Sequence, residues 1–304
     1  MQKKIGIILV NYNGYEDTIE CVKSIKKSTY RNYKIIIVDN ASPDESGNRL
    51  NDKYSNDSDI VVILNKENTG FSEGNNIGLE YIEKEQIDYI LMLNNDTVVE
   101  PEFLYKLIEG AKETNFEGLY SGKILYYFDK DKIWFAGGKY NYLKGTAIHE
   151  GVNENDNNKY YNTTKKMEFI CGCCIFMNID IYHQLGKLSD EYFLYAEDLD
   201  YSLTAQKVKI PMDYIPDARI YHKVSASTSK LSTLSQYYMI RNRFHIIKKF
   251  HRGYKKLSAY IFTILWCIKR IIRHEFSIAV CKTAIIDFIT NNMGKKVEKN
   301  EKKL

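Results

Sequence analysis

The sequence predicts an α/β chain: a doubly wound, mostly parallel sheet followed by a C-terminal helical, basic extension. Three observations predict it. Four short apolar runs, Ile5–Val10, Lys34–Val38, Ile60–Leu64 and Tyr89–Leu93, recur with helical patterns between them. Strands alternating with helices in this way form parallel sheets buried on both faces. Each run then ends in polar residues, at Asn11, Asp39, Asn65 and Asp96, so four polar groups gather at the sheet edge where open α/β sheets bind ligands. Charge, finally, is unevenly divided: residues 237–304 carry 16 Lys/Arg against 4 Asp/Glu, whereas residues 1–236 carry 27 against 35. A neutral-to-acidic body therefore bears a basic tail.

The first strand, Ile5–Val10, is wholly apolar, and Asn11-Tyr12-Asn13-Gly14 is a turn signal at its end. Asp17 or Thr18 can cap the next helix, with Ile19, Val22 and Ile25 on its buried face. Lys34–Val38 repeats the pattern with β-branched residues and ends in Asp39-Asn40-Ala41-Ser42-Pro43-Asp44. After the third strand, Asn68–Gly78 places three glycines ahead of a helix whose apolar face is Ile77, Tyr81 and Ile82. Those glycines match neither the dinucleotide nor the P-loop spacing, which argues against a dehydrogenase or a kinase.

The fourth strand delivers Asn94, Asn95 and Asp96 to the carboxyl edge. A carboxylate beside two amides can hold a hard divalent cation, which takes oxygen ligands and tolerates bound phosphates. The same residues also read as an Asx-rich turn before a helix opened by Pro101, with Phe103, Leu104, Leu107, Ile108 and Ala111 inward. Both readings stand at this level.

Beyond residue 118 the pattern changes. Lys123–Tyr127, Ile133–Gly137 and Glu168–Met177 read as strands, and the Asn-rich stretch from Asn153 to Thr164 as a mobile loop. Cys171-Gly172-Cys173-Cys174 has half the ligands of a zinc site, but it lies in an apolar run with no partner pair at ligand spacing, and small buried residues fit it better. Three acids, Glu197, Asp198 and Asp200, open the next helix. Acids in a first turn suit the helix dipole, a role that fits Glu197 and Asp200, whereas Asp198 points elsewhere on the turn and is available as a general base. Met212–Ile215 and Arg219–His222 read as two short strands. His222 ends the second, and an imidazole suits a first-row ion such as manganese.

With 304 residues, 44% hydrophobic and 27% charged, composition is that of an ordinary globular chain with ample core. Met1-Gln2-Lys3-Lys4 leads straight into the first strand rather than into a signal peptide. The six cysteines are therefore expected to be reduced thiols of a cytoplasmic protein.

Taken in order, Val10–Gly14, Val38–Ser42, Asn68–Gly78, Leu93–Thr97, Phe193–Asp200 and His222 resemble glycosyltransferase family 2, the inverting, metal-dependent nucleotide-sugar transferases of GT-A (Rossmann-like) fold. The resemblance spans residues 5 to about 225 and is nearest to the rhamnosyltransferase-like branch of bacterial surface polysaccharide synthesis. It implies that Asp39 holds the nucleotide base and that Asn11 and Asn76 line the nucleotide pocket. Asn94-Asn95-Asp96 stands where the family has Asp-x-Asp. By the same resemblance Asp96 and His222 would ligate Mn²⁺ or Mg²⁺ on the donor diphosphate, Asn94 and Asn95 would bond ribose or lend a carbonyl, and Asp198 is the catalytic base. The expected donor is dTDP-rhamnose or, second, a UDP-hexose, and the acceptor a lipid-linked saccharide. A non-catalytic nucleotide-sugar or polysaccharide-binding protein is the rival reading, given standing by the two amides and opposed by the Glu197-Asp198 pair and His222; a sugar-phosphate nucleotidylyltransferase would need a basic Gly-rich first loop, and Asn11–Gly14 is uncharged.

The implied organisation is a catalytic domain over 1–228, with a nucleotide-binding half (1–118) and an acceptor half (119–228), then a helical extension (229–293) and a charged, disordered tail (294–304). From Gln236 onward apolar and basic residues interleave at helical spacing. The apolar run Ala259–Ile268 is too short to span a bilayer, but beside dense Lys/Arg it suits a helix lying in the anionic inner face of the cytoplasmic membrane. The alternative is a helical pair packed on the catalytic domain. No nucleic-acid-binding module is present.

Overall fold

The computed structural model describes residues 2–224 and 232–296. The predicted boundary at 228/229 and residues 297–304 of the predicted tail lie outside them.

The four predicted strands form, as β1 (Ile5–Asn11), β2 (Tyr33–Asp39), β3 (Ile60–Leu64) and β4 (Tyr89–Leu93). They lie parallel in the order β4-β1-β2-β3, with Asn11 in register with Asp39. All of β4 is buried, as a run of large apolar residues in a parallel sheet must be. Between the strands lie α1 (Tyr15–Lys26), α2 (Ser46–Tyr54) and α3 (Gly70–Ile82), and α4 (Phe103–Lys112) follows β4. Sequence patterning does not reveal α2, because only Leu50 and Tyr54 are apolar within Ser-Gly-Asn-Arg-Leu-Asn-Asp-Lys-Tyr. Two glycines of α3 serve close packing: a Cβ at Gly78 would stand 2.6 Å from Ile8, and one at Gly74 2.9 Å from Val10.

The second half of the sheet is built by β5 (Thr97–Val99), β6 (Leu119–Tyr126), β7 (Ile133–Phe135), β10 (Lys165–Lys166), β11 (Cys174–Asn178) and β12 (Met212–His222); β8 (Gly138–Asn141) and β9 (Thr146–His149) form a separate hairpin. Antiparallel β11 sits between β4 and β6 and joins the two halves, and β12 runs parallel to β6. Three expectations change here. The two short strands at 212–222 are one, with an irregularity between Ile215 and Arg219 at Pro216, which lacks the N–H a ladder needs. The run 168–177 is strand only from Cys174, and Cys171 and Cys173 are buried in the turn before it. The stretch 153–164 is held in place, since Asp156 pairs with Lys123 at 2.7 Å and with Arg219.

The α-helices α5 (Ile179–Leu185) and α6 (Glu197–Lys207) precede the extension, which is α7 (Thr233–Phe250), α8 (Gly253–Ile272) and α9 (Ile278–Ile289). The extension has a small core of its own around Tyr237, Tyr238, Phe244, Cys267 and Phe276, and Ile246 of α7 also enters the core of the catalytic sheet. Among the described residues no helix is long and apolar enough to cross a membrane.

Candidate active site

The carboxyl ends of β1, β2 and β4 meet through one amide. Asn11, fully buried, donates from Nδ2 to Asp39 Oδ1 (2.7 Å) and Ser46 Oγ (2.9 Å). Its Oδ1 accepts from Thr18 Oγ1 (3.0 Å), the Gly14 N–H (3.2 Å) and Asn95 Nδ2 (3.3 Å). Asp39 also accepts from the Ser42 N–H at 3.0 Å and from the Ser42 hydroxyl at 2.6 Å. A buried polar network of this kind is rigid because each unpaired member would be costly. Asn11 and Asp39 thus stand behind the cleft and set its walls.

In front of that network opens a cleft of about 840 Å³ whose sheet wall includes Val10, Tyr12, Asn40, Asn68, Phe71 and Asn95. Asn40 fastens the loop after β3: its Nδ2 donates to Asn68 Oδ1 (3.1 Å) and the Gly70 carbonyl (2.9 Å), and its Oδ1 accepts from Thr69 and Asn65. Gly70 is obligatory, since it has φ +89° and a Cβ there would stand 2.2 Å from the Phe193 carbonyl oxygen. Asn76 does not fit the expected role. Its Nδ2 donates to the Leu188 carbonyl at 2.9 Å and its Oδ1 accepts from the Leu188 N–H at 3.0 Å, so the amide is spent holding α3 to the loop after Leu185 and is not part of the cleft wall.

Asp96 lies between β4 and β5. Because β5 pairs antiparallel with the end of β12, Thr97 is opposite His222, and the Lys223 N–H donates to the Asp96 carbonyl at 2.9 Å. His222 Nε2 comes to 3.0 Å from Asp96 Oδ1. Lys223, pairing with Asp17 (2.7 Å) and Glu20 (2.5 Å), ties that strand end to α1. Among the described residues no three His, Cys, Asp or Glu side chains cluster as a full metal cage. The local donor set nevertheless fits a hard divalent ion shared with a ligand: among the described residues the buried Asn94 Oδ1 has no hydrogen-bond partner and Asp96 Oδ1 has only its contact with His222, an arrangement that costs free energy unless something else satisfies them.

Asp198 is the second residue of α6. Its Oδ2 accepts from the Gly172 N–H at 2.9 Å and its Oδ1 from the Leu199 N–H at 2.8 Å. The turn before it is strained, with Tyr195 at φ +66° and Ala196 at φ +74°. Asn242 of α7, fully buried, holds this turn by donating from Nδ2 to the carbonyls of Leu194 (2.9 Å) and Tyr195 (2.7 Å). Burial raises the Asp198 carboxyl above the usual carboxylate range, against the two main-chain N–H groups, which favour its ionised form. Glu197 is raised too, by burial and then by Asp198, and among the described residues its Oε2 has no hydrogen-bond partner. It is a buried acid in the first turn of α6. Asp200 bonds the Tyr192 hydroxyl (2.8 Å) and Lys249 (2.7 Å) and is structural.

Asp198 faces a second cavity, of about 340 Å³, shared with His149, Arg243 and Trp266. Two links join it to the Asp96 side. The Asn94 N–H donates to the Cys173 carbonyl at 3.0 Å, one residue from the Gly172 N–H that holds Asp198. Trp134 packs edge-on against both His222 and His149, with ring centroids 4.7 Å away in each case. Burial holds His149 neutral, its value pushed down to about 4. Asn11, Asp39, Asn94, Asn95, Asp96 and His222 therefore lie at strand ends along one edge of the sheet, and Asp198 of α6 is linked to them through Cys173 and Trp134.

Sequence reasoning misses the aromatic part of the cleft, Tyr12, Phe71, Phe193 and Tyr238, and the basic pair Lys295 and Lys296. Tyr12, next to Asn11 and half exposed, is a signal that could have been used; the rest depend on tertiary folding.

Known proteins share this architecture. The family model described as Glycosyl transferase family 2 matches residues 6–186. The low-salt glycan biosynthesis hexosyltransferase Agl10 of Haloferax volcanii is 25% identical over 247 residues, 80% of this chain and 75% of that protein. The dTDP-rhamnosyl transferase RfbF of Shigella flexneri is 21% identical over 259 residues, 83% of this chain and 82% of that one. In fold, the crystal structure of GalNAc-T7 with UDP, GalNAc and Mn2+ matches with a TM-score of 0.62 at 13% identity, over 95% of this chain and 58% of that chain, so the chain spans little more than half of that protein's length. Sequence match over most of the sheet and likeness of fold agree that this chain belongs to glycosyl transferase family 2, as a transferase of GT-A fold that takes its sugar from a nucleotide donor.

Proposed function

We propose that the chain is an inverting, divalent-metal-dependent hexosyltransferase of bacterial surface polysaccharide synthesis. The donor is dTDP-rhamnose, with a UDP-hexose as second choice, and the acceptor is a lipid-linked saccharide at the inner face of the cytoplasmic membrane. The observation that carries the reading is the carboxylate of Asp198, held by the Gly172 and Leu199 N–H groups in the lining of a second cavity. Likeness to RfbF along most of its length supports the choice of donor.

In this reading the nucleotide lies in the large cleft, where Tyr12 offers a stacking face and the network of Asn11 and Asp39 shapes the base end. Asn95 bonds the ribose or diphosphate. Asp96 and His222, together with the Asn94 carbonyl oxygen, would hold Mn²⁺ or Mg²⁺. Such an ion supplies Lewis-acid charge to a departing diphosphate. Asp198 takes the proton of the acceptor hydroxyl as that oxygen attacks the anomeric carbon on the face opposite the leaving group, so one displacement inverts the centre. A positioned base contributes about 10²–10⁴-fold.

Membrane contact is supported by α8. Tyr254, Leu257, Ile261, Ile264, Leu265, Ile268 and Ile272 are exposed along it and are bordered by Lys255, Lys256, Lys269, Arg270 and Arg273, the composition of a helix lying in an anionic interface.

The test is turnover of purified protein with dTDP-rhamnose or UDP-hexoses, a polyprenyl-linked saccharide and Mn²⁺. Product of inverted anomeric configuration supports the reading. Donor binding with neither transfer nor hydrolysis would make the chain a nucleotide-sugar-binding protein instead.

A further inference from the structure

The donor cleft has a second wall, and the catalytic sheet does not make it. Leu234 and Tyr238 of α7 and Lys295 and Lys296 beyond α9 line the same 840 Å³ space as Tyr12, Asn40 and Asn95. The chain after α9 is led there by three bonds. The Asn292 carbonyl accepts from Arg241 Nη1 at 3.3 Å, the Gly294 N–H donates to the Glu191 carbonyl at 2.9 Å, and the Lys296 N–H donates to the Tyr238 hydroxyl at 2.9 Å. Lys295 and Lys296 thus reach the cleft on a held segment rather than a loose end.

Among the described residues each ammonium group lies over an aromatic ring. Lys295 Nζ lies 5.8 Å from the centre of the Phe193 ring and Lys296 Nζ 4.6 Å from that of Tyr237. Among the described residues neither lysine forms an ion pair, in contrast with Lys223 and Lys249, which are both paired. The sheet wall answers them mostly with neutral amides, at Asn40, Asn68 and Asn95, with Glu67 as its acid. The anion-handling edge of the sheet is itself poor in charge, because Asn94 and Asn95 stand beside a single carboxylate, Asp96.

We propose that Lys295 and Lys296 bind the diphosphate of the nucleotide donor, so that the C-terminal extension completes the donor site. The inference rests on reading the large cleft as that site. Two lysines suit the task as compact charges with rotatable donors, strongly attracted to phosphate oxygens. Their position on the wall carried by α7 and α9 makes donor binding depend on the extension being docked, and the same extension carries the basic, apolar face of α8.

The experiment is titration calorimetry of the full chain with dTDP, UDP and the matching nucleosides, thymidine and uridine. Parent protein is compared with the double variants Lys295→Ala/Lys296→Ala and Lys295→Arg/Lys296→Arg. The expected result is a loss of about tenfold or more in nucleoside diphosphate affinity for the alanine pair, nucleoside affinity within about twofold of parent, and recovery in the arginine pair. Unchanged diphosphate affinity in the alanine pair overturns the proposal. So does an equal loss for nucleoside and diphosphate, which would mean only that the wall had been disturbed. A parent protein that binds neither nucleoside diphosphate would remove the donor-site reading and this assignment with it.

Discussion

His222 Nε2 lies 3.0 Å from Asp96 Oδ1, although the two residues come from opposite halves of the catalytic sheet. The short strand after Asp96 makes the meeting possible, because its antiparallel pairing sets Thr97 against His222. A carboxylate and an imidazole brought so close, the carboxylate two residues along the chain from Asn94, form an open-sided donor set. Asp96→Ala and His222→Ala should each weaken Mn²⁺-dependent binding of dTDP or UDP by more than about tenfold, since even outer-shell partners of a metal cost 10–100-fold. Nucleoside binding should not change. Calorimetry with and without Mn²⁺ measures both; equal nucleotide affinity in parent and variants would dismiss these two as ligands.

The Glu197–Asp198 pair predicts a pH dependence. Burial raises both carboxyls above their ordinary values, and a base must be ionised to act, so kcat/KM should climb with pH through a limb above the usual carboxylate range. Stability runs the other way. A carboxyl raised in the folded state contributes stability that is present below its unfolded value and lost as pH rises through the folded one. Thermal unfolding of Glu197→Gln should therefore depend less on pH in that window than unfolding of the parent. Identical profiles for both proteins would show that Glu197 does not titrate there.

Asn242 is the residue through which the extension sets the base. Its two donations hold the left-handed Tyr195–Ala196 turn that opens α6. Asn242→Ala leaves two carbonyls without that donor and should cost about 1–3 kcal/mol of stability. It should also lower kcat at least tenfold while leaving the donor KM nearly unchanged. A purely structural role would show the stability loss with kcat intact.

Replacing Leu257, Ile261 and Ile268 together by Glu should abolish sedimentation with vesicles containing anionic phosphatidylglycerol and leave transfer to a short soluble acceptor unaffected. These side chains are exposed, so the fold has little to lose. Vesicle binding equal to the parent's would leave α8 as a plain solvated helix.

Much of this was readable in the sequence where physics is local. β1 to β4 and their polar ends follow from apolar runs that stop abruptly, and Asp96, Asp198 and His222 stand out as candidates by residue type and position. What failed was non-local. β5 is three residues long and exists only because β12 lies beside it. Asn76 has the right type and setting for a pocket residue, but its amide is taken by the Leu188 main chain. Lys295 and Lys296 belong in sequence to a charged tail, and only the return of the chain past Tyr238 brings them to the cleft.

The most direct test of the central claim is the rate of sugar transfer by Asp198→Asn. The amide keeps the size of the carboxyl group, and the variant should fold and bind the nucleotide donor as the parent does. Transfer should fall by about 10²–10⁴-fold, the share expected of a positioned general base. Transfer within a few-fold of the parent, in a variant that binds donor normally, would contradict the account.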